Sequence, residues 1–179
     1  MDAEPAGVWL LPTQGKASLE HGRSFLDTPR RVASIEELKN LVGVTLGPTR
    51  WHQVTQDDIN AFADITQDHQ WIHIDTERAA ESPFGGTIAH GLYGLSRTPA
   101  LMAELLQAEG FRHVLNYGYD KVRFTSPVPV GSRIRMSAEV IRAEERSPGE
   151  LDVVTRLTLE TEESDKPSLV AESIGRFVS

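Results

Sequence analysis

Residues 66–75 read TQDHQWIHID and gather histidines, aspartates and a tryptophan into a short run of an otherwise ordinary acidic chain. Histidine, with an ordinary pKa of about 6.5, exchanges a proton at neutral pH, and an aspartate beside it can orient it or carry a second proton. Asp68 with His73 is therefore a pair suited to adding water to a substrate or removing it. The same residues also fit a quieter arrangement, with Asp68 capping a loop and His73 a hydrogen-bonded ring in a strand, and spacing alone leaves both open.

A metal is the other chemistry to weigh. His69 and His73 are four apart, which on a helix puts both rings on one face, as in the H-E-x-x-H zinc motif. Here Gln70 stands where that motif needs its glutamate, and Trp71, Ile72 and Ile74 favour strand or loop, so no metal site is expected.

The stretch FGGTIAHGLYG, residues 84–94, is a glycine-rich turn running into an apolar helical pattern. Free backbone N–H groups at a helix start suit a carbonyl that gains negative charge, and Gly91 has no side chain to keep one away. Glycines that merely let helix and sheet approach closely would read the same. The run is neither a dinucleotide fingerprint nor a Walker A loop, and no G-x-S-x-G elbow occurs. Lys121 and Arg123, like Arg133 and Arg135, alternate onto one strand face, where they fit either a phosphate-bearing ligand or a solvated surface.

These residues need elements to hold them. SIEELKNLVG predicts a short helix with Ser34 as N-cap, Glu37 at the capping-box position and Gly43 past the end. WHQV, residues 51–54, reads as a short strand, and Thr55 with Asp58 opens a helix that ends near Thr66. A long helix is expected between Thr87 and about Gln107, on a stripe of Ile88, Leu92, Leu95, Met102 and Leu106, with Pro99 as a kink or a tolerated irregularity. Strands follow over 113–124, 132–143, 151–161 and 168–178, and in the second Ile134, Met136, Ala138 and Val140 alternate with Arg133, Arg135, Ser137 and Glu139. The expected fold class is α+β, with an antiparallel sheet covered on one face by a long helix.

Composition bounds the rest. A chain of 179 residues with 39% apolar content supports one domain, and the absence of cysteine excludes disulfides and thiolate chemistry. Residues 1–28 lack a sustained period and are expected to be a poorly structured N-terminal extension, the domain running over 29–179. A formal charge of −8 argues against nucleic acid as a partner, and no stretch has the length of a membrane span, so a cytoplasmic protein is expected.

Taken together, D-H-Q-W-I-H at Asp68–His73, F-G-G-T-I-A-H-G at Phe84–Gly91 and the run NYGYDKVRFTSPVPVGSRIR resemble the MaoC-like, (R)-specific enoyl-CoA hydratase family, over about residues 30–179 and closest to its single-domain, NodN-like branch. The resemblance implies a hot-dog fold, a curved antiparallel sheet wrapped around one long central helix, and a homodimer with sheets joined edge to edge. It implies that Asp68 and His73 hold a water for syn addition to a trans-2-enoyl-CoA, giving a (3R)-hydroxyacyl-CoA, and that the Gly91 N–H polarises the thioester carbonyl. No separate cofactor is implied, because the acyl-CoA substrate carries its own coenzyme A. His90, Tyr93, Asn116, Lys121 and Arg123 are the substrate-binding candidates in these motifs. The family's usual D-x-N-P-x-H has Gln70 and Trp71 here in place of Asn and Pro, and Pro99 stands where many members have a supporting serine, leaving Ser96 and Thr98 as substitutes. A thioesterase on the same fold, with Glu104 as its acidic residue, and a non-catalytic acyl-binding module are the alternatives.

Overall fold

The structure is a computed structural model that describes residues 29–162 and 164–179. The expected N-terminal extension over 1–28 lies outside the described residues. In chain order the elements are β1 (Arg30–Val32), α1 (Ile35–Lys39), β2 (Thr45–Leu46), β3 (His52–Gln53), α2 (Gln56–Thr66), α3 (Trp71–Ile74), α4 (Thr76–Ala80), α5 (Gly91–Ala103), β4 (Leu106–Ala108), β5 (His113–Phe124), β6 (Arg133–Ser147), β7 (Glu150–Thr161) and β8 (Leu169–Val178).

The long strands form an antiparallel sheet in the order β2-β6-β7-β8-β5, with β3 also on β6. Alternation fixes its buried face: Ile134, Met136, Ala138 and Val140 are each at most 1% exposed. Together with Leu157, Leu159 and Leu169 these strands form the face on which α5 lies, through Tyr93 and Leu101. Gly94 permits that approach, since a Cβ there would stand 3.2 Å from a Leu159 methyl. A smaller core of Val32, Leu38, Leu41, Leu151 and Phe177 seats β1 and α1 at the far end of the sheet.

Local signals set both expected caps. Ser34 Oγ accepts from the Glu37 N–H, and Thr55 and Asp58 make a reciprocal capping box even though aspartate replaces the usual Glu or Gln. The long helix is shorter than its apolar stripe suggests, running from Gly91 to Ala103. Ile88 is bridged to Pro129 in extended backbone, and Leu106 opens β4, which pairs in parallel with β1. Pro99 sits inside α5 without ending it, and the Thr98 hydroxyl donates to the Leu95 carbonyl that a proline nitrogen leaves unsatisfied. No helix among the described residues is long and apolar enough to cross a membrane.

Candidate active site

The segment between α2 and α5 builds the site. Gln67 ends α2 in the left-handed conformation, φ 59°, which turns the chain sharply and leaves Asp68 on the surface at the start of the next segment. The extended or loop setting expected for His73 is corrected: Trp71–Ile74 is a single helical turn, α3, closed by the His73 N–H on the Gln70 carbonyl. Tertiary bonds overrule the β-leaning side chains there. The Ile72 carbonyl accepts from the Ile88 N–H at 3.0 Å, and Gln56 donates to the His73 carbonyl at 2.8 Å while accepting from the Thr87 hydroxyl. Trp71 stands at the first helical position, a place proline also favours, so the exchange of Pro for Trp is compatible with a helical turn. Its ring lies beneath the Arg78 guanidinium at 4.2 Å.

His73 is 6% exposed. Its Nδ1 lies 2.7 Å from the Ile88 carbonyl, which can only accept, so the proton resides on Nδ1 and the Nε2 lone pair is left unpartnered among the described residues. Burial lowers its pKa below the ordinary histidine value; the Ile88 bond and the Asp68 charge oppose that shift, and neighbouring His90 adds to it. The ring is therefore neutral at pH 7 and able to accept a proton. One Asp68 carboxylate oxygen and one ring nitrogen from each of His73 and His90 lie within 4.8 Å of one another. That donor set is also one a divalent ion such as zinc accepts. His69, the other histidine of the expected motif, turns away to pair with Asp64 at 2.9 Å on the surface.

Residues 88–91 face this pair. His90 is the N-cap residue of α5 but makes no side-chain capping bond, and the Gly91 N–H has no acceptor among the described residues. A donor at the positive end of a 13-residue helix is placed for an oxygen gaining negative charge. His73, His90 and Gly91 line a pocket of about 340 Å³ whose other walls include Phe124, Ser126, Leu159 and Leu169.

The remaining expected residues are distributed differently. Tyr93 is buried in the core, edge-on to Phe62, and burial raises its phenol pKa above the usual value. Asn116 donates to the Tyr119 hydroxyl on exposed β5. Lys121 pairs with Glu172 at 3.2 Å, and Arg123 donates to the Val122 carbonyl; neither lines the pocket. Arg133 pairs with Glu162, and Arg135 pairs with Glu160 while lying over Trp51. Ser96 and Thr98 each donate to a carbonyl of their own helix. Glu104 is the C-cap of α5, with His52 Nε2 at 2.7 Å and Arg50 at 3.5 Å, and does not reach the pocket lining. Gln56 and Thr87, which hold α3 against the glycine-rich turn, carried no sequence signal, since each reads as an ordinary polar residue near a helix start.

Residues 37–163 match the family model described as MaoC like domain. A 3-hydroxyacyl-thioester dehydratase Z of Mycobacterium tuberculosis is 44% identical over 150 residues, 84% of this chain and 99% of the relative. Nodulation protein N of Rhizobium leguminosarum bv. viciae is 41% identical over 143 residues, 79% and 89% of the two chains. The solved (R)-hydratase from A. caviae involved in PHA biosynthesis superposes with a TM-score of 0.59 at 21% identity, over 75% of this chain and 94% of that one, and so shares the fold.

Proposed function

The chain belongs to the MaoC-like dehydratase family and has its hot-dog fold, and from that premise we propose an (R)-specific enoyl-CoA hydratase/dehydratase that works by Asp68 and His73. The enzyme is a hydro-lyase. The observation that carries the assignment of residues is the neutral, Nδ1-anchored His73 beside the Asp68 carboxylate, at a pocket that His73 and Gly91 both line.

In this reading a water lies between the two side chains. His73 Nε2 takes its proton as the oxygen attacks C3 of a trans-2-enoyl thioester, and Asp68 holds the water's other hydrogen. The electron pair of the double bond moves to the thioester oxygen, where the Gly91 N–H meets it, a contact of a kind worth about 2.7 to 4 kcal/mol. The proton then passes from the pair to C2 on the same face, giving the (3R)-hydroxyacyl product; dehydration is the reverse. No separate cofactor enters the step, and the setting proposed is cytoplasmic.

The test follows loss of the conjugated double bond of trans-2-enoyl-CoAs of graded length, with chiral analysis of the product. Because His73 must be neutral to accept a proton and its pKa is lowered, kcat/KM stays level from pH 8 down through the ordinary histidine value of about 6.5 and falls only below it. An (S) product, or a rate already declining from pH 7.5, contradicts the assignment.

The proposed partner is a second copy. β5 is the outermost strand of the sheet, paired only with β8 among the described residues, and exposes Val114, Leu115 and Tyr117 at 47%, 48% and 58%. A 12-residue open edge with apolar side chains templates pairing with another strand. Light scattering is expected to give twice the 19.8 kDa chain mass, and Val114→Lys with Leu115→Lys to give a single chain. A wild-type mass of one chain overturns the dimer.

A further inference from the structure

His90 is 4% exposed, and none of its side-chain contacts is what an N-cap residue ordinarily makes. Its Nε2 lies 2.9 Å from the main-chain carbonyl of Asp68, 22 residues earlier, and its ring stacks on His73 at 3.7 Å with planes 27° apart. Phe62 also packs against the ring, tilted, with centroids 5.1 Å apart. The Asp68 carbonyl only accepts, so Nε2 carries the proton. Nδ1 is buried without a hydrogen-bond partner among the described residues, so the bond to the Asp68 carbonyl is the only hydrogen bond the ring makes there.

We infer that His90 is a positioning residue: its Nε2–H holds the Asp68 backbone, and thereby the Asp68 carboxylate, at a fixed place against the His73 ring on which it stacks. Two short segments are thus clamped by three bonds: Ile88 N–H to the Ile72 carbonyl, His73 Nδ1–H to the Ile88 carbonyl, and His90 Nε2–H to the Asp68 carbonyl. The first two fix α3 and the His73 ring. Only the third reaches Asp68, which otherwise follows a left-handed turn on the surface. A carboxylate on an exposed turn has several rotamers and a mobile backbone, and a proton relay tolerates little displacement. His90 removes the backbone part of that freedom.

The inference rests on the hydratase reading for its kinetic consequence but not for its structural one, and the experiment separates them. His90→Phe keeps the stacked ring and loses the donor; His90→Gln keeps an N–H that reaches the Asp68 carbonyl and loses the ring. The loss of one such bond is expected to lower kcat on the order of tenfold in His90→Phe with KM within about twofold, while His90→Gln retains most of the rate. Amide hydrogen exchange over residues 67–71 is expected to quicken in His90→Phe and not in His90→Gln. Unchanged exchange in His90→Phe, or equal losses of kcat in both variants, overturns the role. A wild-type chain inactive on enoyl thioesters counts against the hydratase reading alone, and the exchange comparison still decides whether His90 holds Asp68.

Discussion

Asp68→Asn and His73→Gln are each expected to reduce hydration of crotonyl-CoA by about 10² to 10⁴-fold, the range that positioned acid–base groups contribute, with near-ultraviolet circular dichroism and melting temperature close to wild type. The variants isolate chemistry from fold for a structural reason. Asp68 is anchored through its main-chain carbonyl, which Asn retains, and its carboxylate is on the surface with no structural partner among the described residues. The His73 backbone is held independently of its ring, by the Gln70 carbonyl on one side and Gln56 on the other. Substitution of the ring does bury an unpaired Ile88 carbonyl unless the Gln amide reaches it, a cost of about 1 to 3 kcal/mol that His73→Gln is chosen to limit. Asn cannot carry the Asp68 charge, and Gln cannot accept a proton at neutral pH. Full activity in either folded variant sinks the assignment of that residue.

The sequence carries this site unevenly. Asp68, His73 and Gly91 stand out because their chemistry shows in residue type and local spacing, and the structure brings the first two within reach of each other beside a pocket that Gly91 lines. The strands over 113–178 and the two capping motifs are legible for the same reason, since alternation and caps are local signals. Trp71–Ile74 misleads because its β-leaning residues are made helical by bonds to Ile88 and Gln56, from 15 to 17 positions away in sequence. The end of α5 misleads because apolar spacing continues through Leu106 after the backbone has left the helix to pair with β1. His90 can be picked out as a candidate in a motif, but its partners, His73 and the Asp68 carbonyl, exist only once α3 and the glycine-rich turn are packed together. Lys121 and Arg123 show the opposite failure: a strand pattern places them on one face without saying which, and cross-strand carboxylates such as Glu172 are invisible until register is known.

The second large effect is expected at Gly91, where the pocket wall rather than the proton relay is changed. A Cβ built on Gly91 falls 2.8 Å from ring carbons of Phe124, closer than non-bonded carbons approach, and both residues line the pocket beside His73. Alanine is otherwise welcome there: the position is the first of α5, has no positive φ, and alanine raises helix propensity while keeping the N–H. The cost of Gly91→Ala is therefore steric, about 1 to 3 kcal/mol for an overpacked contact, and it is met by displacing the Phe124 ring within the space a thioester would enter. The expected result is a loss of up to about 100-fold in kcat/KM on trans-2-enoyl-CoA, with the melting temperature unchanged or slightly lowered, because the gain in helix propensity offsets only part of the steric cost. Phe124→Ala in the same chain restores room for the methyl group, so the double variant recovers most of the lost activity, whereas Phe124→Ala alone stays near wild type. If Gly91→Ala works as well as wild type, the half-exposed ring swings clear and the wall does not confine the substrate. If the double variant stays as impaired as the single one, the loss arises at the Gly91 N–H itself, and the steric account of the glycine is the one that fails.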